Sequence, residues 1–143
     1  MTQDWFTDEY KAQELAEYRR IRAKHPDLVN VPFECNMGWY PIIEAYFDEV
    51  SRLLATHPGA YFELRQVKEK FGVLRLYCRP SEDIREAVKT AYDKAAEQSD
   101  RTCEVCGKPG ALRIDRGHYS TRCDDHANGV PPTSWNVGGS DDG

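Results

Sequence analysis

Apolar residues recur at helical spacing in three stretches of the chain. The clearest runs Trp39, Ile42, Ile43, Tyr46, Phe47, Val50, Leu53 and Leu54. Its three- and four-residue steps predict an amphipathic helix from about residue 39 to residue 57. Pro41 falls in the first turn, where the missing N–H costs nothing, and His57-Pro58-Gly59 ends the run. A looser stripe of Phe6, Tyr10, Leu15, Tyr18 and Ile21 predicts a helix over 7–24. Thr7 is placed to cap it, Asp8 and Glu9 fall in its first turn, and Arg19, Arg20, Arg22 and Lys24 gather towards its end. His25-Pro26 then stops it. The third stripe, Ile84, Val88, Ala91, Tyr92 and Ala95, predicts a helix over 82–98 capped by Ser81.

Between the second and third stripes the period changes to two. Residues 61–67 and 73–78 read as strands joined around Lys70-Phe71-Gly72. One face of this hairpin carries Phe62, Leu64, Leu74, Leu76 and Cys78, the other Arg65, Arg75 and Tyr77. An isolated hairpin is marginal in water, so it must pack on the helices or recruit a further strand, for which the extended stretch 28–34 is the candidate. The fold class expected is α+β, with helices packed on a small antiparallel sheet. Residues 1–100 form that domain, 101–128 a cysteine-rich unit, and the Gly-, Pro- and Ser-rich residues 129–143 a disordered tail.

Composition narrows the class. Of 143 residues 40% are hydrophobic and 30% charged, an ordinary globular balance. No apolar run approaches the roughly 18 residues of a membrane span. The acidic start, Met1 to Glu9, lacks the basic and apolar pattern of a secretory signal. Five cysteines without such a signal read as thiols in a reducing cytoplasm rather than as a disulfide framework. A net charge of −5 argues against a generic duplex binder, which needs many cationic contacts to phosphate. The charge is uneven, however. Residues 1–59 hold ten acids against six bases, whereas residues 60–80 hold five bases against two acids.

The strongest chemical signal is Cys103-Glu104-Val105-Cys106-Gly107, followed sixteen residues later by Cys123-Asp124-Asp125-His126. Two residues between ligands let a tight turn aim both side chains at one ion, and Gly107 lets the backbone bend back. Cys103, Cys106, Cys123 and His126 are therefore the expected ligands of one structural zinc. Four protein ligands close a zinc site, because a catalytic zinc keeps a position for water. Leu112-Arg113-Ile114 and Tyr119-Ser120-Thr121 can pair as a short hairpin about Asp115-Arg116-Gly117, and the second ligand pair then opens a short helix. Knuckle, hairpin and helix start around one zinc resemble a treble-clef zinc finger. His118 is the competing ligand, but His126 has the tighter spacing to its cysteine.

Other candidates for chemistry are weaker. Cys35 before a helix could be a nucleophile, but no supporting His or Asn is recognisable, and a small buried residue beneath Trp39 explains it better. Cys78 falls on the apolar strand face. His25 and His57 read as helix-end features. Glu34, Glu44, Asp48 and Glu49 form an acidic group, for which solvated helix positions are a sufficient reading of the last three. An HNH-type nuclease shares the treble-clef frame and would need a catalytic histidine on the hairpin, where only His118 stands. Arg65, Lys68, Lys70, Arg75, Tyr77 and Arg79 make the hairpin the expected contact surface for nucleic acid or another partner.

Three stretches taken together resemble a group of small uncharacterised proteins of tailed phages and prophages. They are Phe33-Glu34-Cys35 with Gly38-Trp39; Val67-Lys68-Glu69-Lys70-Phe71-Gly72 with Leu74-Arg75; and Arg101 to Gly107 with Cys123-Asp124 and His126-Ala127. The likeness covers residues 33–127, and it departs from the pattern at Asn36-Met37, where Gly-Asp is common. It implies an accessory phage product in the cytoplasm of a bacterial host. The function expected is a non-enzymatic module that binds a host protein, in one specific form an inhibitor of a nucleic-acid-directed defence (anti-CRISPR-like). The acidic first half motivates this reading. The alternative is a nucleic-acid-binding module using the hairpin and finger.

Overall fold

In the computed structural model, which describes residues 5–133, the predicted helices form, the second and third each entered through a turn of 3-10 helix. The Thr7 hydroxyl accepts the Tyr10 N–H and opens α1, Asp8–Lys24. A strand β1, Phe33–Glu34, precedes a turn of 3-10 helix, Met37–Trp39, which runs directly into α2, Tyr40–Thr56. The hairpin strands are longer than expected: β2 is Phe62–Lys70 and β3 is Val73–Pro80. A second 3-10 turn, Glu82–Ile84, leads into α3, Arg85–Ser99. Ser81 does not cap that helix. Its hydroxyl accepts the Tyr61 N–H at 2.9 Å and donates to the Asp83 carboxylate at 2.7 Å, which ties the start of β2 to the end of β3. The chain is thus α+β.

The extra strand comes from the expected region but pairs the other way. β1 lies parallel to β2, with Phe33 opposite Val67 and Glu34 opposite Lys68, so the sheet β1-β2-β3 is mixed rather than antiparallel. The reason is topological: α2 separates β1 from β2, and a helical crossover returns the chain in the same direction. β2 and β3 are joined through Phe71 and Gly72, both at positive φ (55° and 80°), the two-residue turn whose twist suits a hairpin. The strict two-residue period fails once. Leu64 pairs with Cys78 and Gln66 with Tyr77, leaving Arg65 as a bulge. The bulge turns Val67 to the same face as Leu64, so two residues three apart are both buried.

The core lies between α2 and the sheet. Trp39, Ile43, Phe47 and Val50 meet Val67 and Leu74, all fully buried, and Ile84 and Val88 close one side. Phe33 sits edge-on to both Tyr18 and Tyr40, at 4.9 and 5.1 Å. α3 covers part of the β3 edge: the Leu74 N–H donates to the Ser99 hydroxyl at 3.1 Å, and the Tyr92 hydroxyl donates to the Leu74 carbonyl at 2.9 Å.

α1 departs most from its predicted stripe. Ile21 is its one buried residue and Leu15 is exposed. The helix is fastened to α2 by charge instead. Arg20 forks onto Glu44 at 2.7 and 3.0 Å, Lys24 reaches Glu44 and Asp48, and the buried His25 ring stands 2.7 Å from Asp48. Glu44 and Asp48 are therefore paired groups rather than simply solvated ones. His25 and His57 do close helices: the His25 N–H bonds the Ile21 and Arg22 carbonyls, and the His57 ring meets the Leu53 carbonyl.

Hydrogen bonds from Arg20, then Lys24, hold the Glu44 carboxyl at about 2 against an ordinary 4.5. A depressed carboxylate contributes stability above its unfolded value and loses it as pH falls towards the folded one. Wild-type protein is therefore expected to lose thermal stability between pH 4.5 and about 2 more steeply than Glu44→Gln, measured by melting temperature across that range.

Candidate metal centre

The first ligand pair sits on a turn built by the backbone. Thr102 bridges to Pro109, the Cys103 N–H donates to the Lys108 carbonyl at 2.7 Å, and the Gly107 N–H returns to the Cys103 carbonyl at 2.9 Å. Gly107 takes φ 84°, a conformation that side chains disfavour. The predicted hairpin follows as β4, Ala111–Asp115, and β5, His118–Arg122, turning through Arg116 and Gly117. Cys123 comes next. The short helix expected at the second pair is a single turn of 3-10 helix, Asp124–His126.

These elements bring the four predicted ligands together. Their donor atoms all lie within 4.8 Å of one another. The sulfurs of Cys106 and Cys123 are 3.7 Å apart, and His126 Nδ1 lies 3.2 Å from Cys123 Sγ and 3.7 Å from Cys103 Sγ. A tetrahedral ion with metal–sulfur bonds of about 2.3 Å needs sulfur–sulfur edges of about 3.8 Å, so the donor set could hold one metal ion. His118 begins β5 opposite Asp115, exposed and outside the cluster. Burial opposes the charged form of Cys123, yet hydrogen bonds from Cys106 and Cys103 and the His126 and Asp125 backbone N–H groups hold its thiol below the ordinary range. Amides aimed at sulfur are the donors a metal-bound thiolate requires.

Several groups that fix this site carry no cysteine signature. Arg113 is buried. Its guanidinium donates to the Arg122 carbonyl at 3.0 Å, the Val130 carbonyl at 2.8 Å and the Asp124 carboxylate at 3.0 Å, tying hairpin, second pair and following chain together. The Thr133 N–H also bonds the Leu112 carbonyl, so the tail expected to be disordered from residue 129 is held as far as Thr133. Residues 134–143 of that tail lie outside the described residues.

The cysteine-rich unit is docked on the rest of the chain by its backbone. The Gly38 N–H donates to the Glu104 carbonyl at 2.8 Å and the Trp39 indole to the Thr102 carbonyl at 2.8 Å. The Asn36 N–H donates to the buried Glu104 carboxylate, and the Tyr10 hydroxyl to the Val105 carbonyl at 2.7 Å. Trp5 stands edge-on to His126 at 4.5 Å. On the hairpin side the Thr121 hydroxyl donates to the Gly72 carbonyl at 2.7 Å. A β-carbon on Gly38 would collide with the Cys103 and Glu104 carbonyls. Trp5, Tyr10, Gly38, Glu104 and Arg113 were not legible as site residues. The clustering of Gly38-Trp39 in the motif was the one available hint.

Acids are interleaved among the basic residues expected to make a contact surface. Lys68 faces Arg75 across the strands, but Glu34 lies beside Lys68 on β1 and Glu63 opposite Arg79. Arg65, at the bulge, is 3.6 Å from Glu63, and Lys70 sits over the Phe71 ring. Tyr77 is exposed opposite Gln66. Cys35 is buried in the core, where burial and then the nearby Glu104 push its thiol well up, the opposite of an activated nucleophile. Cys78 is half-buried, its sulfur 3.5 Å from the Tyr46 hydroxyl. Among the described residues no helix is long and apolar enough to cross a membrane.

Comparison of the chain with protein-family models, with curated proteins and with solved structures returned no match in any of the three. Function therefore has to be argued from the site itself.

The Gly38 contact makes a direct prediction. Gly38→Ala is expected to push the Cys103–Glu104 backbone away and lower stability by about 1–3 kcal/mol, the range for overpacking a tight contact. Urea unfolding of the variant against wild type measures it.

Proposed function

We propose that the ion is one structural zinc, that the chain is a non-enzymatic interaction module, and that its partner is a protein. Three sulfurs and one imidazole nitrogen, all within 4.8 Å of one another, suit zinc, and four protein donors leave no position for a substrate or water. The knuckle and the hairpin support a treble-clef reading, with one 3-10 turn where that class of finger has a helix. The observation that carries the interaction reading is the docking of the metal unit. Gly38, Trp39 and Tyr10 bond its backbone, and its own Thr121 bonds the Gly72 carbonyl, so the zinc shapes a surface continuous with the α+β domain.

A protein partner is favoured over nucleic acid by the interleaving of Glu34 and Glu63 among the hairpin cations. The setting proposed, a phage accessory protein that binds a host protein and counters a nucleic-acid-directed defence, rests on the motif likeness. The acidic first half adds less to it, because Glu17, Glu44 and Asp48 are already matched by Arg20 and Lys24. The facing pair Lys68 and Arg75 keeps a nucleic-acid reading as the alternative.

Metal analysis of purified protein is expected to give one zinc per chain, retained in His118→Ala and lost or sharply weakened in His126→Ala. Loss from the His118 variant alone would overturn the ligand assignment. Zinc removal is expected to raise amide exchange across 101–128 while α2 stays protected, because so small a unit has little core of its own. Labelled single- and double-stranded nucleic acid should show no binding at moderate salt. Tight, salt-sensitive binding reduced by an Arg65/Arg75 double alanine variant would install the alternative.

A further inference from the structure

The edge of β3 is only partly covered. In an antiparallel strand alternate residues point their N–H and C=O groups towards the neighbour and away from it. Leu74 spends both groups on α3, through Ser99 and Tyr92, so its backbone points away from β2. Leu76, Cys78 and Pro80 share its phase on the unbulged strand. Their outward groups meet no hydrogen-bond partner among the described residues. Beside them runs an open groove of about 330 Å³ between the β3 edge and α3, bounded by Leu76, Cys78 and Pro80 on one side and Arg85, Val88, Lys89 and Tyr92 on the other.

We propose that this groove takes an extended acidic peptide segment of a partner protein, added as a fourth strand beside Leu76 and Cys78. The backbone supplies two donors and two acceptors in the spacing of a strand, which is how sheet edges capture peptides. Val88 and Tyr92 offer apolar contact for side chains of one face of the segment. The charge of the partner follows from the rim. Arg85 is exposed and pairs with no carboxylate among the described residues, and Lys89, held by Asp93 at 2.9 Å, stands one turn further along α3. A second copy of this chain fits less well, since pairing two β3 edges brings Arg85 and Lys89 against their own counterparts. Pro80 has no N–H and ends the available edge, which limits the segment to a few residues.

This proposal rests on the reading that the partner is a protein and is independent of the metal. Zinc analysis can fail without touching it, and the reverse holds too. In the full-length chain the amides of Leu76 and Cys78 should exchange at least tenfold faster than those of Arg75 and Tyr77, which face β2. A blocked hexapeptide alternating glutamate and valine is the probe, followed by amide shifts in heteronuclear NMR. Saturable shifts should centre on Leu76, Cys78 and Val88. A lysine–valine peptide, and a glutamate–valine peptide N-methylated on its inward amides, should each bind at least tenfold more weakly. Arg85→Glu, a surface change that leaves the core intact, should weaken the acidic peptide by a similar factor. No saturable shift, equal binding of the N-methylated peptide, or shifts centred elsewhere would overturn the proposal. So would protection of Leu76 and Cys78 that depends on chain concentration, which assigns the edge to a second copy. Protection that disappears on removing residues 134–143 would assign it to the chain's own tail and overturn it equally.

Discussion

Gly38 and the Cys103–Glu104 peptide approach so closely that neither backbone leaves space for a side-chain atom between them, and most of the molecule is organised by that contact. The Gly38 N–H meets the Glu104 carbonyl there, and the next residue, Trp39, is fully buried while its indole reaches the Thr102 carbonyl. One dipeptide thereby starts α2, anchors the central core and seats the cysteine-rich unit. A buried backbone pairing of this kind is costly to break, because the N–H and C=O groups left behind have no water to replace the lost partner.

The candidate metal centre depends on that seat as well as on its own donors. Its own cluster consists of Cys103, Val105 and Cys123, with Trp5, Phe6 and Tyr10 packed against it from the N-terminal segment. So small an apolar group cannot offset the chain entropy of nearly thirty residues, at about 1–2 kcal/mol for each backbone fixed. Contacts borrowed from the rest of the chain, and the metal ion that the four donors could hold, would supply the difference. Arg113 adds a third element: a buried guanidinium whose donors are spent on two carbonyls and the exposed Asp124 carboxylate. It orders the Cys123–His126 turn through the neighbouring Arg122 and Asp124.

The surface is less one-sided than the charge count suggests. α1 and α2 hold much of their opposite charge in ion pairs at their shared boundary, where exposed pairs contribute little stability but cancel one another's field. The hairpin mixes acids with its bases. What stands out physically, among the described residues, is the outward backbone of Leu76 and Cys78 on β3, which meets no partner beside the exposed Arg85, a feature invisible to any count of side chains.

By itself the sequence determined the elements and the donor set. The apolar spacing from Trp39 to Leu54 fixes α2, since one face of a 3.6-residue period must be buried whatever surrounds it. The C-x2-C and C-x2-H pairs name the four donors that the fold brings together, because the local turn decides where each pair of side chains can aim. The sequence left open the parallel pairing of β1, the bulge at Arg65 that turns Val67 inward, and the role of α1, whose Tyr10 serves the cysteine-rich unit while Tyr18 packs on the core. It also left open Gly38 against Cys103, separated by more than sixty residues. Each of these is a contact between distant parts of the chain. Local periodicity reports which face a residue shows but never what that face will meet, and only the tertiary structure decides the second question.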